Sequence, residues 1–423
     1  MASPTIQVSE TPAQASSRAA RQKLGKPSHW VHDKPTQFVN PWPSFRPHTT
    51  RDFALGASFT TMASGPSKAS IVQIPIQKPT WGANLVAENA HKIKATWLGH
   101  ACFLVELPSS TTGVRGARIL FDPVFSDRCS PTQLLGPRRF TRKSPSSFDA
   151  FDVPEIDAIV ISHNHYDQCH GHHLPHQPAR RTPAPHVFAP LGNEAYFHSL
   201  GVPEERTHCL DWWDARRVRS ASPVHGTLEF DVTFTPGQHF TGRGILDRFK
   251  SLWGGWVVEG VPAASASAVP PRVYFAGDTG YRSVPSSTDD GPETLPVCPA
   301  FKEIGARWGG FDLALIPIGA YAPRRFMSPI HCAPRDSVAL FRDIKARRAL
   351  GMHWGAWVLT TEDILEPPLR LAEECAKAGV AAGAFGVCAI GETVSVEVGG
   401  EGGKGCERGK GTAAATDRDG LPR

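Results

Sequence analysis

No run of apolar residues approaches the ~18 that a membrane-spanning helix needs, so a helical crossing of the bilayer is excluded. Cysteine is scattered rather than patterned. Cys102, Cys129, Cys169, Cys209, Cys298, Cys332, Cys375, Cys388 and Cys406 are odd in number and never form a C-x-x-C pair. That argues against a disulfide framework or a cysteine–zinc ribbon and favours a reducing, intracellular setting. An excess of one charge is also missing: 45 basic against 40 acidic side chains leave +5 over 423 residues. Such a balance suits an anionic surface or substrate but is too dilute to argue for nucleic acid. There is no internal repeat and no apolar segment of the secretory type near the N-terminus. Arg18, Arg21, Lys23 and Lys26, in a Ser/Ala-rich stretch whose only acid is Glu10, read as a solvated tail or as a mitochondrial-type transit peptide.

Glycine (39) and proline (38) are plentiful, which predicts many turns and a loop-rich architecture. Residues 1–35 are polar and unpatterned and read as a disordered tail, as do the Gly/Lys/Glu-rich residues 398–423. Val261–Pro271 reads as a loop. Between the tails lie short apolar runs bounded by turn residues. Ile93–Leu107 and Ala117–Phe125 predict neighbouring strands, and Ile156–Ser162 predicts a buried one. Further strands are expected at His186–Pro190, Phe230–Thr235, Trp253–Val258, Val273–Ala276, Leu313–Ile318 and Ala349–Met352. Helices are expected at Pro334–Lys345, led by a proline, and at Pro368–Ala378, ahead of Gly379. Many strands with few helices predict an α/β layered sandwich.

The informative segment is Ile159-Val-Ile-Ser-His163-Asn-His165-Tyr-Asp167-Gln168. A buried strand ends, and two histidines and an aspartate follow at alternating positions, so an extended loop can aim them into one pocket. Neutral imidazole and carboxylate are the ligands that hold zinc while leaving a position open for water. Three other strand ends repeat the pattern: Gly237-Gln238-His239, Gly277-Asp278-Thr-Gly280, and Leu350-Gly-Met-His353-Trp-Gly355. The flanking glycines let the backbone turn sharply beside an ion. Each residue alone would suit a structural role; together they point to a shared metal centre.

From about Phe38 to Gly391 the chain resembles the metallo-β-lactamase-fold hydrolases, and among them the N-acyl-phosphatidylethanolamine-hydrolysing phospholipase D family. The elements His163-Asn-His-Tyr-Asp167 and Gly277-Asp-Thr-Gly280 belong to the superfamily at large. Phe38-Val-Asn-Pro-Trp-Pro-Ser44, Gly136-Pro-Arg-Arg-Phe140 and Leu252-Trp-Gly-Gly-Trp256 narrow the resemblance to this branch. It implies a four-layer αββα sandwich over residues 91–397, with residues 36–90 as an N-terminal arm packed on it. It also implies two Zn2+ ions: His163, His165 and His239 on one, Asp167 and His353 on the other, and Asp278 between them. Asp122 is expected to sit near the metals and orient their ligands. The implied reaction is hydrolysis of the lipid to an N-acylethanolamine and phosphatidic acid by a metal-bound hydroxide, with Asp167 in the catalytic centre. His331 is the matching candidate for the general acid, or else a structural histidine ahead of the helix at Pro334. Tyr166, between two ligands, either touches substrate or packs. The implied partners are a phospholipid, a membrane surface met peripherally and a second copy in a homodimer, in a cytoplasmic or membrane-peripheral location.

The sequence departs from the family motif H-x-H-x-D-H at its last position, which is Gln168. An amide oxygen is a weaker zinc ligand than imidazole, so the second site is expected to bind more loosely. His170, His172, His173 and His176 follow. His170 is the nearest that could replace the missing ligand, and otherwise this is a His-rich solvent loop. For access to lipid, Phe38, Trp42, Phe45, Arg46, Arg138, Arg139 and Phe140 offer an aromatic and basic rim, or Phe38–Trp42 packs on the core. His100 and Trp97 read as core residues. Two alternatives share the fold: a hydrolase of another phosphodiester or a lactone, and a weakened lipid- or zinc-binding homologue.

Overall fold

The computed structural model describes residues 5–12, 14, 25–49, 52, 74–83, 89–109, 114–131, 134–139, 152–169, 184–244, 246–261, 269–285, 292 and 294–399. In chain order its strands begin with β1 (Thr5–Glu10), β2 (Ile93–Trp97), β3 (Phe103–Glu106), β4 (Arg118–Phe121), β5 (Ala158–Val160), β6 (His186–Pro190) and β7 (Thr207–Leu210). There follow β8 (Ala215–Ser222), β9 (Gly226–Thr235), β10 (Gly255–Gly260), β11 (Arg272–Phe275), β12 (Phe311–Pro317), β13 (Ala346–Met352), β14 (Phe385–Gly386) and β15 (Thr393–Val396).

These strands make two mixed sheets, ordered β15-β2-β3-β4-β5-β6-β7 and β1-β8-β9-β10-β11-β12-β13-β14. In each, an antiparallel meander gives way to a parallel half, at β4–β5 in one and β11–β12 in the other. The parallel halves carry the most apolar strands: β6 and β12 are buried at every residue, as strands covered on both faces must be. In β4 the period of two divides the side chains between layers. Ile119 and Phe121 join the core between the sheets, where Phe121 meets Phe275 at 4.8 Å, and Leu120 joins the outer cluster.

Helices cover the outer faces. Phe197 of α1 (Glu194–Ser199) packs on the outer side of the seven-stranded sheet with Leu104, Ile159 and Val187. On the other side lie α2 (Ala300–Trp308), α3 (Arg324–Met327), α4 (Pro334–Asp343) and α5 (Glu366–Lys377), with α4 packed on β12, β13, α2 and α5. Helix α4 begins where proline fits the first turn, and α5 ends at Gly379 with φ of 65°. The result is the expected α/β sandwich of the metallo-β-lactamase type, with both predicted helices and most predicted strands close to their expected bounds; the run Ile93–Leu107, read as one strand, is instead the hairpin of β2 and β3.

Two expectations are corrected. Thr5–Glu10, read as part of a disordered tail, form β1, paired antiparallel with β8 from Thr5–Ala221 to Glu10–Arg216. Only Ile6 and Val8 alternate there, and the stabilising partner lies two hundred residues downstream, beyond the reach of local pattern. Of the two readings of Phe38–Trp42, packing on the core is the one observed: Phe38 is fully buried, its amide donates to Phe249 O at 2.9 Å, and His29 and Trp42 stack on Trp212 beside it. Arg139, expected on the rim, is buried instead, with its guanidinium over Trp357 at 4.2 Å. Residues 170, 172, 173 and 176, Phe140 and residues 400–423 lie outside the described residues.

The segment leading into α4 depends on one buried ion cluster. Asp336 is fully buried and accepts from Arg282 Nε at 2.9 Å, from Arg324 Nη2 and from the Ala333 amide at 3.3 Å. Removing the carboxylate takes away the acid that both buried guanidiniums share. Asp336→Ala is therefore expected to cost about 3–5 kcal/mol, read as a lower urea midpoint at unchanged m-value. A midpoint equal to the wild type's would refute this.

Candidate metal centre

The predicted ligands all sit at C-terminal strand ends, on the same edge of the sandwich. The seven-stranded sheet supplies Asp122 beyond β4 and the run Ser162–Gln168 beyond β5. The eight-stranded sheet supplies His239 beyond β9, Asp278 beyond β11 and His353 beyond β13. The turn into Asp278 needs glycine: Gly277 has φ of 61°, and a Cβ there would lie 2.6 Å from that of Ser162 and 2.9 Å from Gly254 O.

Three imidazoles form the first cluster. His165 Nδ1 lies 2.9 Å from His163 Nε2 and 3.4 Å from His239 Nε2. Tetrahedral zinc with nitrogens at about 2.0–2.1 Å sets those nitrogens about 3.3 Å apart, so the cluster has the right dimensions. Neighbours set the tautomers. His239 Nδ1 donates to Ile330 O at 2.8 Å, leaving the Nε2 lone pair facing inward. His163 Nδ1 faces Ser162 Oγ at 2.9 Å, and Ser162 donates its hydroxyl (2.5 Å) and amide (2.7 Å) to Asp122. Burial, with Asp278 and Asp167 close by, pushes the Asp122 carboxyl well up, against those two bonds. A cation in the site favours the ionised carboxylate and hence this relay. Burial lowers His163 well below the usual histidine range, lowers His165, and brings His239 to about 4. All three are thus neutral, the ligand form, at neutral pH.

The second cluster is more acidic. Asp167 Oδ2 lies 3.2 Å from His100 Nε2 and 3.5 Å from His353 Nε2, and Asp278 Oδ2 lies 2.9 Å from His353 Nε2 and 3.7 Å from His163 Nε2. Asp278 therefore stands between the clusters. Burial would raise both carboxyls, but the histidines beside them hold both well below the usual range. In return His353, which burial alone would lower, is raised to about 10 by Asp278 and Asp167. Nδ1 of His353 is buried without a hydrogen bond, while Nε2 is held as an ion pair with Asp278 at 2.9 Å. Buried imidazole nitrogens and two carboxylates, Asp278 buried and Asp167 partly so, converging on one space are the donor set of a divalent cation.

Gln168 is fully buried. Its Nε2 reaches both oxygens of Asp278 at 3.0 Å, and its Oε1 has no partner. His331 belongs to the site: its ring lies 5.2 Å from that of His239 and 5.0 Å from that of His353, and its buried Nδ1 has no hydrogen bond. The ligand atoms of His239, Asp278 and His331 lie within 4.8 Å of one another. Tyr166 is turned to the side, with the Arg243 guanidinium 4.0 Å above its ring. Sequence reasoning missed Ser162, His100, and the segment at residues 40–44. There Asn40 Nδ2 donates to His239 O at 2.8 Å, and Ser44 Oγ donates to Gln238 Oε1 at 2.6 Å. His100 carried a usable signal, since it follows β2 through Leu98-Gly99 much as His353 follows β13.

A sandwich with histidines and aspartates gathered at its strand ends is the architecture of a metal-dependent hydrolase, and residues 117–354 match the family described as the beta-lactamase superfamily domain. Among curated proteins the chain is 33% identical over 367 residues to N-acyl-phosphatidylethanolamine-hydrolyzing phospholipase D 1 of Caenorhabditis elegans, covering 83% of this chain and 89% of that one. It is 30% identical over 371 residues to the mitochondrial N-acyl-phosphatidylethanolamine-hydrolyzing phospholipase D of Saccharomyces cerevisiae, covering 79% and 70% respectively. Among solved structures, a metallo hydrolase of Ignicoccus hospitalis aligns with 72% of this chain and 99% of its own, at 19% identity and a TM-score of 0.45. The chain belongs to the N-acyl-phosphatidylethanolamine-hydrolysing phospholipase D family, a branch of the metallo-β-lactamase-fold hydrolases.

Ser162 couples Asp122 to His163 without itself reaching the cluster's centre. Loss of such a partner typically costs 10–100-fold in metal affinity. Ser162→Ala is expected to weaken zinc binding by that factor in a competition titration against a chromophoric chelator. Affinity unchanged from the wild type would remove Ser162 from the design.

Proposed function

We propose that the protein is a zinc-dependent phospholipase of D type that hydrolyses N-acyl-phosphatidylethanolamine to an N-acylethanolamine and phosphatidic acid. The observation that carries this reading is 33% and 30% identity, along most of the chain, to two proteins named for that reaction. His163, His165 and His239 would hold one zinc and Asp167 and His353 the other, with Asp278 between them. Bound zinc would supply a nucleophile from water near neutral pH and neutralise charge on a phosphoryl oxygen.

The rest falls to the chain's own side chains. Asp122 and Ser162 keep His163 in the tautomer that turns Nε2 inward, and Ile330 O does the same for His239. The phosphorus–oxygen bond to the N-acylethanolamine breaks, its alkoxide leaves, and the oxygen from water stays on phosphatidic acid. His331, whose ring lies beside those of His239 and His353, would protonate that alkoxide. Burial holds it well below the usual histidine range in the free protein, and an anionic phosphodiester opposite Nδ1 favours its protonated form.

A membrane surface fits the periphery of the site. Leu134, Leu135 and Leu246 are among the most exposed apolar side chains described, at 83%, 76% and 85%. They lie on the loops that follow Asp122 and His239, near Arg138, Arg243 and Arg248, so apolar and cationic groups are offered together. No helix among the described residues is long and apolar enough to cross a bilayer. Peripheral attachment, a homodimer and an intracellular location, either cytoplasmic or mitochondrial as in the name of the yeast relative, complete the proposal.

The test is product analysis. Zinc-loaded protein given N-acyl-phosphatidylethanolamine in mixed micelles is expected to release N-acylethanolamine and phosphatidic acid, and His239→Ala to release neither. Absence of both products from the wild type would overturn the substrate. His331→Gln is expected to lower kcat by about 10²–10⁴, the range for general acid–base groups. A kcat within a factor of three of wild type would show that His331 moves no proton.

A further inference from the structure

We infer that His100 is a ligand of the second metal site, supplying through Nε2 the nitrogen that Gln168 cannot. The inference rests on the two-metal reading above and extends it to a residue outside the expected set. His100, Asp167 and His353 bring their ligand atoms within 4.8 Å of one another, as closely as the three imidazoles of the first cluster. His100 and His353 direct Nε2 at the same carboxylate oxygen of Asp167, from 3.2 and 3.5 Å.

The backbone holds His100 in this position by an unusual conformation. It lies at φ of 56° in the tight turn between β2 and β3, which the Leu98 and Cys102 amides close at 2.8 and 3.0 Å. Positive φ is disfavoured for a side chain with a Cβ, and such residues concentrate where the surroundings enforce a functional geometry. Here His100 O accepts two donors, Trp97 Nε1 at 2.8 Å and the His353 amide at 3.1 Å. The second bond fastens the two histidines to each other. Their rings lie 3.9 Å apart, and Trp357 closes the other side edge-on at 4.8 Å. The ring is only 2% exposed. A core histidine would meet apolar neighbours, whereas this one faces a partly buried carboxylate and a second imidazole.

Gln168 is otherwise engaged. Its amide nitrogen, which has no lone pair to give a metal, grips both oxygens of Asp278. Turning the amide over would set Oε1 against the same two carboxylate oxygens. An imidazole nitrogen is moreover the stronger ligand for zinc. The arrangement assigns Gln168 to orienting the carboxylate between the metals and His100 to binding.

The test counts metal. Full-length protein is dialysed against Zn2+ or Co2+, metal per chain is measured by mass spectrometry, and the Co2+ visible spectrum is recorded. Two equivalents are expected for the wild type. His100→Gln keeps an N–H within reach of Asp167 but loses the imidazole, so one equivalent should remain tight and the second weaken at least 10-fold, with loss of its Co2+ bands. Gln168→Ala should retain two. Should His100→Gln misfold, His100→Gly tolerates the positive φ, and millimolar imidazole should restore its second equivalent.

Full retention of the second equivalent in His100→Gln, with unchanged Co2+ bands, would overturn the inference and leave His100 a hydrogen-bond donor to Asp167. So would loss of the second equivalent in Gln168→Ala alone, or a wild type that binds one. Metal counting is independent of substrate, so failure to hydrolyse N-acyl-phosphatidylethanolamine with these stoichiometries intact would refute the proposed reaction and not the ligand.

Discussion

Asp167 and Asp278 carry negative charge into the interior of a two-sheet sandwich, and much else at the site answers that constraint. A buried carboxylate is tolerated only when positive charge or donors surround it. Here the surroundings are histidines: His100 and His353 at Asp167, and His353, His163 and the Gln168 amide at Asp278. In the absence of a cation, His353 takes up the proton that balances the pair, which is why its pKa is raised while its neighbours' are lowered. A divalent ion meets the same demand better, being a compact double charge with several bonds to offer. The polar centre is thus built for an occupant of charge opposite to its own.

Around the centre, the chain spends its least regular backbone on holding side chains still. His100, Asp122 and His353 all have positive φ, and all lie just past strand ends. The N-terminal segment adds support from outside the sheets, with Asn40 on the carbonyl of His239 and Ser44 on Gln238. Its Asn-Pro-Trp-Pro-Ser run, open in the sequence between a lipid-facing rim and an arm packed on the core, is a brace behind the first cluster. Phe38, Trp42, His29 and Trp212 form the aromatic packing that holds this brace in place.

The candidate ligands stood out in the sequence because they come in a recognisable setting: an apolar strand, a glycine or a turn, then a polar residue. That setting marked His163, His165, Asp167, His239, Asp278 and His353. His100 has it too but was read, with Trp97, as a core residue of the first strand pair. Ser162 lacks any such mark; a serine before a histidine is ordinary until the fold sets Asp122 behind it. The strands followed their apolar runs, and the helices their proline and glycine boundaries. β1 was not legible, since a half-exposed edge strand is defined by its partner, and β8 is far away in the chain.

The division of ligands between the sheets has a consequence for assembly. His163, His165 and Asp167 arrive with one sheet, and His239, Asp278 and His353 with the other. The centre is therefore a seam, complete only once the sheets have docked and a chain that reaches His353 has been made. Contacts this distant in sequence form late and close large loops. A cation that binds the docked form and not the separated halves adds its binding free energy to the sheet–sheet interface. A bound metal would then act as a rivet through the sandwich as well as a reagent at its edge.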